Sequence, residues 1–378
     1  MRHVYVHVPF CRRRCSYCDF AIAVRNVVPA ERYVSLVLRE LDARRRTGLW
    51  DDDPLETLYL GGGTPSLLPP HILTDFIHAL LDRLTTKDPS QPLEITLEAN
   101  PDDVTPAAAL AWVDAGVSRV SLGAQSFDQQ VLEWMHRTHD VAANERAVEA
   151  LRAAAVPSLS VDLIFGLPRE LNADFPADVE RALDLGPDHL SVYGLTVEPR
   201  TPFARWVSRG AAQEPTDAQY EEQFMYAHEL LSAAGFEHYE VSNYARPGYR
   251  SRHNQAYWTG KRYLGVGPAA HSFTGSTRHW NLAPWAAYEQ AMADNLDPTE
   301  SVEHLSADQQ ALEAVYLGLR TSDGAPKSLL ISWPGSIGQA GIKEGWLLDR
   351  HGRVSLTAQG WLRLDSVITA LTTSAESG

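Results

Sequence analysis

Cysteine is scarce in this chain: 378 residues contain three, and all of them lie between Cys11 and Cys18. An odd, tightly clustered set cannot build the even, dispersed framework of a disulfide-stapled protein. Positive charge is also short, with 33 Lys and Arg against 48 Asp and Glu and a net charge of −15. A chain so acidic has no general attraction for phosphate polyanions, so nucleic acid is not an expected partner. No apolar run reaches the length of a membrane-spanning helix, which leaves room only for peripheral membrane contact. The N-terminus, MRHVYVHVPF, lacks the apolar core and small-residue cleavage site of a secretion signal. Repeats and low-complexity tracts are missing too, apart from a polar tail, Thr372–Gly378, expected to be disordered. Together these absences predict a soluble, cytoplasmic protein. In that reducing compartment, clustered thiols bind metal more often than they pair.

What is present is an alternation of short apolar runs with helical patterns. VYVHV (Val4–Val8) reads as a strand, followed by the cysteine loop and a helix near Glu31–Arg45. ETLYL leads into GGGTPS, after which Ile72, Phe76, Leu80 and Leu84 recur beside Leu73, Ile77 and Leu81 as one broad apolar helix face. LEITLEANP is a further strand. Thr105 then offers an N-cap, Pro106 the first helical position and Gly116 a stop. SRVSLGAQSF, SLSVDLIFGLP and HLSVYGLTVEP complete a series of six βα units. The expected fold class is α/β: a partial (β/α)6 TIM-like barrel or an open sheet, with functional residues at the C-terminal strand ends. Cys11, Gly61–Thr64, Glu98, Gln125 and Asp162 fall there. Three segments are expected: the partial barrel over 1–200, a barrel-completing stretch over 201–300, and a small C-terminal helical, winged-helix-like domain over 301–378. The last ends in a hairpin turning at His351–Gly352. Such a shape can bind DNA, but its acidity favours a packing module.

Cys11, Cys15 and Cys18 are spaced C-x3-C-x2-C on one loop. Three thiolates leave one iron of a 4Fe–4S cluster open for a further ligand. Arg12, Arg13 and Arg14 would favour thiolates there and offset the cluster's charge. The alternative is zinc with His7 or His3 as fourth ligand, although structural zinc sites usually bring a second, distant ligand pair. GGGTP at Gly61–Pro65 either lets backbone approach a ligand or merely turns the chain. Glu98 and Asp162, taken singly, could equally be solvated strand-end carboxylates.

The cysteine spacing after an N-terminal strand, with Tyr17 before the last cysteine, resembles the radical S-adenosylmethionine family. That resemblance implies a 4Fe–4S cluster whose open iron chelates S-adenosylmethionine ahead of reductive cleavage to a 5′-deoxyadenosyl radical. LYLGGGTPSLL, LEANP, RVSLGAQSFD and VDLIFGLP extend the likeness to the oxygen-independent coproporphyrinogen III oxidase group, and YEVSNYARPG with RHNQAYW to its heme-chaperone branch, HemW. Carried over by motif, Tyr5 and Tyr17 would flank the cluster and cofactor, and Gly62, Gly63 and Thr64 would hold methionine. Glu98 would bond to it, while Gln125, Arg137 and Asp162 would contact adenosyl or second-ligand groups. The resemblance further implies heme as a ligand, with His253 on its iron, and an acceptor protein as partner. Tyr257 and Trp258 would supply flat apolar surface, and Arg250 and Arg252 would pair with propionates. The alternative for His253 is a structural histidine in an aromatic hairpin; His271 has no assigned role. Two departures from the oxidases, Phe20 where they carry a further cysteine and a strand beginning almost at Met1, put decarboxylation of coproporphyrinogen in doubt.

Overall fold

Runs rich in Val, Ile and Leu bury both of their faces and therefore pair as parallel strands covered by helices. They are β1 (His3–Val8), β2 (Thr57–Gly62), β3 (Glu94–Ala99), β4 (Arg119–Gln125), β5 (Ser158–Phe165) and β6 (His189–Gly194), paired in chain order. Helices α1 (Ala30–Arg46), α2 (Pro70–Arg83), α3 (Pro106–Asp114), α4 (Val141–Ala153), α5 (Phe175–Asp184) and α6 (Asp217–Ala233) follow them in turn. This computed structural model describes residues 1–50, 53–85, 92–330 and 335–372. The tail expected to be disordered lies outside the described residues, except Thr372, which ends the last helix.

Local signals place the helices. Thr105 accepts from the Ala108 amide, Pro106 opens α3, and Gly116 leaves it at φ +94°. On α2, Leu73, Phe76, Ile77 and Leu80 are fully buried. Each contributes about 1.5–3 kcal/mol of apolar burial. Ile72 and Leu81 sit at the margin of that face, half-buried.

The stretch after β6 completes the sheet from both sides. A hairpin of β7 (Glu237–Glu240) and β8 (Asn243–Ala245) adds antiparallel to β6. Helix α7 (Arg252–Trp258) crosses beneath, and β9 (Leu264–Val266) returns to pair parallel with β1. The order β9-β1-β2-β3-β4-β5-β6-β8-β7 is an open partial barrel with edges at β9 and β7. The block RHNQAYW is therefore a helix, not part of a hairpin: Ser251 caps it, and the Glu94 carboxylate accepts from the Arg252 and His253 amides. At the C-terminus the Leu347–Arg350 and Arg353–Leu356 hairpin turns through His351 and Gly352, both at positive φ, and Arg353–Leu356 also pairs with Ala325–Pro326. Val315, Leu319, Val354, Trp361 and Ile368 share one apolar cluster with Phe165, Phe224 and Tyr244 of the sheet side. No helix among the described residues is long and apolar enough to cross a membrane.

Candidate functional site

At the C-terminal strand ends lies a cavity of about 550 Å³ onto which Cys11, Cys15 and Cys18 all face. The cysteine loop is fixed from several directions. The Ser16 amide donates to Met135 O, and the Phe203 amide to Ser16 O. Arg12 pairs with Asp103 at 2.7 Å, and Ser66 of the GGGTPS segment donates to the same carboxylate. Thr64 Oγ1 donates to Cys11 Sγ at 3.4 Å, and Arg137 Nη1 reaches Cys15 Sγ at 3.6 Å. Among the described residues the guanidinium that donates to a cysteine sulfur is thus that of Arg137, 122 residues away in sequence, rather than one from the adjacent arginine run. Of that run, Arg12 is committed to Asp103 and Arg14 to Cys18 O, while Arg13 lines the cavity. Burial pushes the Cys11 thiol up and Cys18 to about 11. A metal binding there displaces thiol protons, so its binding tightens as pH rises.

This donor set fits an iron–sulfur cluster: three thiols on one loop, a hydroxyl at one sulfur and a guanidinium at another. Arg137 is further held by Asn100 Oδ1 and Gly123 O, at 2.6 and 2.9 Å, and its buried Nε has no partner among the described residues. The zinc alternative finds no support from the two histidines. His7 Nε2 donates to Ala21 O at 3.0 Å while Nδ1 faces the Tyr5 hydroxyl at 3.2 Å. His3 lies at the other end of β1 against Thr57.

The second wall is GGGTP. Gly62 has φ +107°, and a Cβ there would meet the His7 ring at 2.5 Å; one on Gly63 would meet the Pro9 and Phe10 backbone at 2.8 Å. Gly62 is required by conformation as well as by close approach, and Gly63 by close approach alone. Glu98 accepts from the Gly62 amide at 2.9 Å and from Tyr59 Oη at 2.8 Å. Burial raises its pKa to about 7, against the opposing effect of those two donors. Asp162 is also raised by burial, while the Ser191 and Ser121 hydroxyls act the other way. Gln125 sits at φ +68° where β4 bulges against β5, which aims its side chain at the cavity.

Tyr17, Gly62, Gly63, Thr64, Glu98, Gln125, Arg137 and Asp162 therefore line one cavity with the three cysteines. Tyr5 does not. It lies one layer below, bonded to His7, which packs under Gly62. Sequence reasoning missed Asn100, Ser121 and Tyr193, which also line the cavity. Asn100 stands in the quoted LEANP block and could have been found there. Phe20, in place of a further cysteine, lies at the same cavity with 59% of its surface exposed.

His253 is far from this group. It is fully buried at the N-terminal strand ends, with Nδ1 2.7 Å from Thr57 Oγ1 and Nε2 2.8 Å from Tyr257 Oη. Burial lowers its pKa to about 3. Arg250 is paired with Glu237 at 2.9 Å. His271 is exposed and stacks on Trp280 with centroids 5.5 Å apart. His253→Ala leaves the Tyr257 hydroxyl without this bond and opens a void under β2. It is expected to destabilise the fold by about 2–4 kcal/mol. Urea unfolding checks this, and an unchanged midpoint contradicts the packing role.

The radical SAM superfamily description matches residues 5–182. The heme chaperone HemW of Mycobacterium tuberculosis is 37% identical over 372 residues, 97% of this chain and 94% of that protein. HemW of Escherichia coli is 32% identical over 384 residues, 97% of this chain and 96% of that protein. Among solved structures, coproporphyrinogen III oxidase (HemN) from Escherichia coli aligns with a TM-score of 0.80 at 21% identity. The alignment covers 98% of this chain and 90% of that chain, which shows a common fold.

Proposed function

The chain belongs to the HemW family of the radical SAM superfamily, and from that premise we propose that it is a heme chaperone. In this reading it carries a 4Fe–4S cluster on Cys11, Cys15 and Cys18, binds S-adenosylmethionine beside it, and passes heme to an acceptor protein. The observation that carries the cofactor half is the convergence of three thiols, the glycine wall and Glu98 on one cavity. The heme half rests on the relatives. When bound, a cluster with an open iron supplies a coordination position and an electron for S-adenosylmethionine.

The protein's own groups then divide the work. Gly62 and Gly63 would present bare backbone to the methionine portion, with Thr64 beside them. Glu98 would accept from its amino group, and Tyr17, Gln125 and Asp162 would wall the adenosyl portion. Arg137 holds Cys15 and the β4 end in register and supplies positive charge in a buried setting. Tyr5 acts through His7, keeping the floor under Gly62 fixed. His253 serves as an iron ligand only in a conformation in which Tyr257 releases Nε2.

Glu98 gives the site a pH dependence. With its pKa near 7, it is largely protonated at pH 6 and ionised at pH 8. A carboxylate accepts from an amino group more strongly than a carboxyl does, so S-adenosylmethionine affinity is expected to rise about tenfold over that interval. Glu98→Gln flattens the profile. Anaerobic calorimetric titrations of cluster-loaded protein at both pH values check this, and a profile that survives Glu98→Gln assigns the dependence elsewhere.

The competing reading is an oxygen-independent coproporphyrinogen III oxidase, with which the chain shares its fold. Cluster-loaded protein incubated with coproporphyrinogen III, S-adenosylmethionine and a reductant is expected to release no carbon dioxide. Release dependent on both additions would replace the chaperone reading with the decarboxylase.

A further inference from the structure

A second crevice, of about 520 Å³, separates α6 and β7 from the C-terminal hairpin. Two histidines stand at its floor. His238 Nε2 lies 3.2 Å from Val241 O, a contact that requires the nitrogen to carry the proton and donate. In the neutral ring, His238 Nδ1 is then an acceptor. It lies 3.0 Å from His228 Nδ1, which must supply the hydrogen. His228 is thereby fixed as the Nδ1–H tautomer, and its Nε2 keeps a free lone pair with no partner among the described residues. An imidazole whose far nitrogen donates to a fixed acceptor is the usual arrangement of a metal-ligating histidine. Burial lowers both rings' pKa, His238 to about 3, so the neutral forms hold near pH 7.

The opposite wall is the hairpin. Its register puts Leu348 across from Ser355 and Arg350 across from Arg353, on the face turned away from the buried Val354, while Leu356 reaches the crevice at the hairpin's end. Two guanidinium groups directly opposite each other repel. Arg353 donates only to the backbone carbonyls of Asp323 and Gly324, and Arg350 has no carboxylate partner among the described residues. In an acidic chain, such a pair is a place for carboxylates supplied by a ligand. The one carboxylate of the wall, Asp323, is drawn toward Arg250 at 3.9 Å. Leu348 and the edge of Trp361, whose Nε1 is tied to Leu319 O, complete an apolar side. The size falls within the usual range of small-molecule pockets.

An open imidazole nitrogen, an apolar wall and two arginines in one crevice match a planar metalloporphyrin bearing two carboxylates. Resting on the heme-chaperone reading, we propose that this crevice seats heme, with His228 Nε2 on the iron and Arg350 and Arg353 on the propionates. It is separate from the cysteine cavity, so both cofactors have their own place.

The test uses the full chain with two probes, hemin and metal-free protoporphyrin IX, each followed by absorbance and fluorescence titration. His228→Ala is expected to lose the imidazole-ligated Soret band with hemin while binding the metal-free porphyrin as the wild type does. Arg350→Glu is expected to weaken both probes by about tenfold or more. Circular dichroism confirms that each variant is folded. Wild-type hemin spectra in His228→Ala, or loss of ligation in His253→Ala alone, overturn the assignment and leave the chaperone reading standing. Failure of the wild type to bind hemin at all overturns both.

Discussion

Cys15→Ala is expected to reduce the iron and sulfide of anaerobically reconstituted protein to background while leaving the fold intact. The cysteines are half-buried at the cavity wall and belong to none of the apolar clusters, so losing one thiol group costs the fold about 1 kcal/mol or less. The cluster has no such tolerance. Two thiolates cannot hold four irons, and Arg137 loses the sulfur it braces. Iron and sulfide analysis beside far-ultraviolet circular dichroism reads both halves of the claim. Stoichiometric zinc without iron or sulfide in the wild type would overturn it.

Gly62→Ala is expected to have the second largest effect. A side chain at φ +107° is strained by about 1–2 kcal/mol, and overpacking against His7 adds about 1–3 kcal/mol. His7 cannot step aside cheaply, since both its nitrogens are held. The strain therefore passes into the turn that carries the Gly62 amide to Glu98. S-adenosylmethionine affinity should fall more than tenfold, and thermal stability should fall with it. Gly48→Ala, also at positive φ but with open space around its added Cβ, separates backbone strain from crowding. Equal losses of cofactor affinity in the two variants would contradict the crowding argument.

How far the sequence led is clearest at individual residues. Strand ends are legible because apolar runs stop at punctuating residues, as with Gly61–Gly63 closing β2 and Pro101 after β3. The α3 boundaries followed from Thr105, Pro106 and Gly116 for the same local reason. The cysteines announced themselves by spacing. What failed to show was anything set by tertiary approach. Arg137 reaches Cys15 only because the turn after the short helix Gln129–Trp134 folds over the loop, and no local pattern encodes that. Tyr5 was placed at the cofactor by motif, yet its ring lies in a layer with Tyr59 and His253, one step below the cavity. RHNQAYW hid its helix because it is short and aromatic. Its stability comes from Glu94, remote in sequence, at its N-terminus. The pair His228 and His238 gave no motif at all, since one comes from a helix and the other from a strand.

Whether one chain holds heme as well as a radical SAM cofactor site is decided by an equilibrium titration of the cluster-loaded protein with hemin. Saturation at one equivalent per chain is expected, with an imidazole-ligated Soret band and an unchanged cluster spectrum throughout. A titration that never saturates, or one in which hemin displaces iron and sulfide from the cysteines, would contradict it.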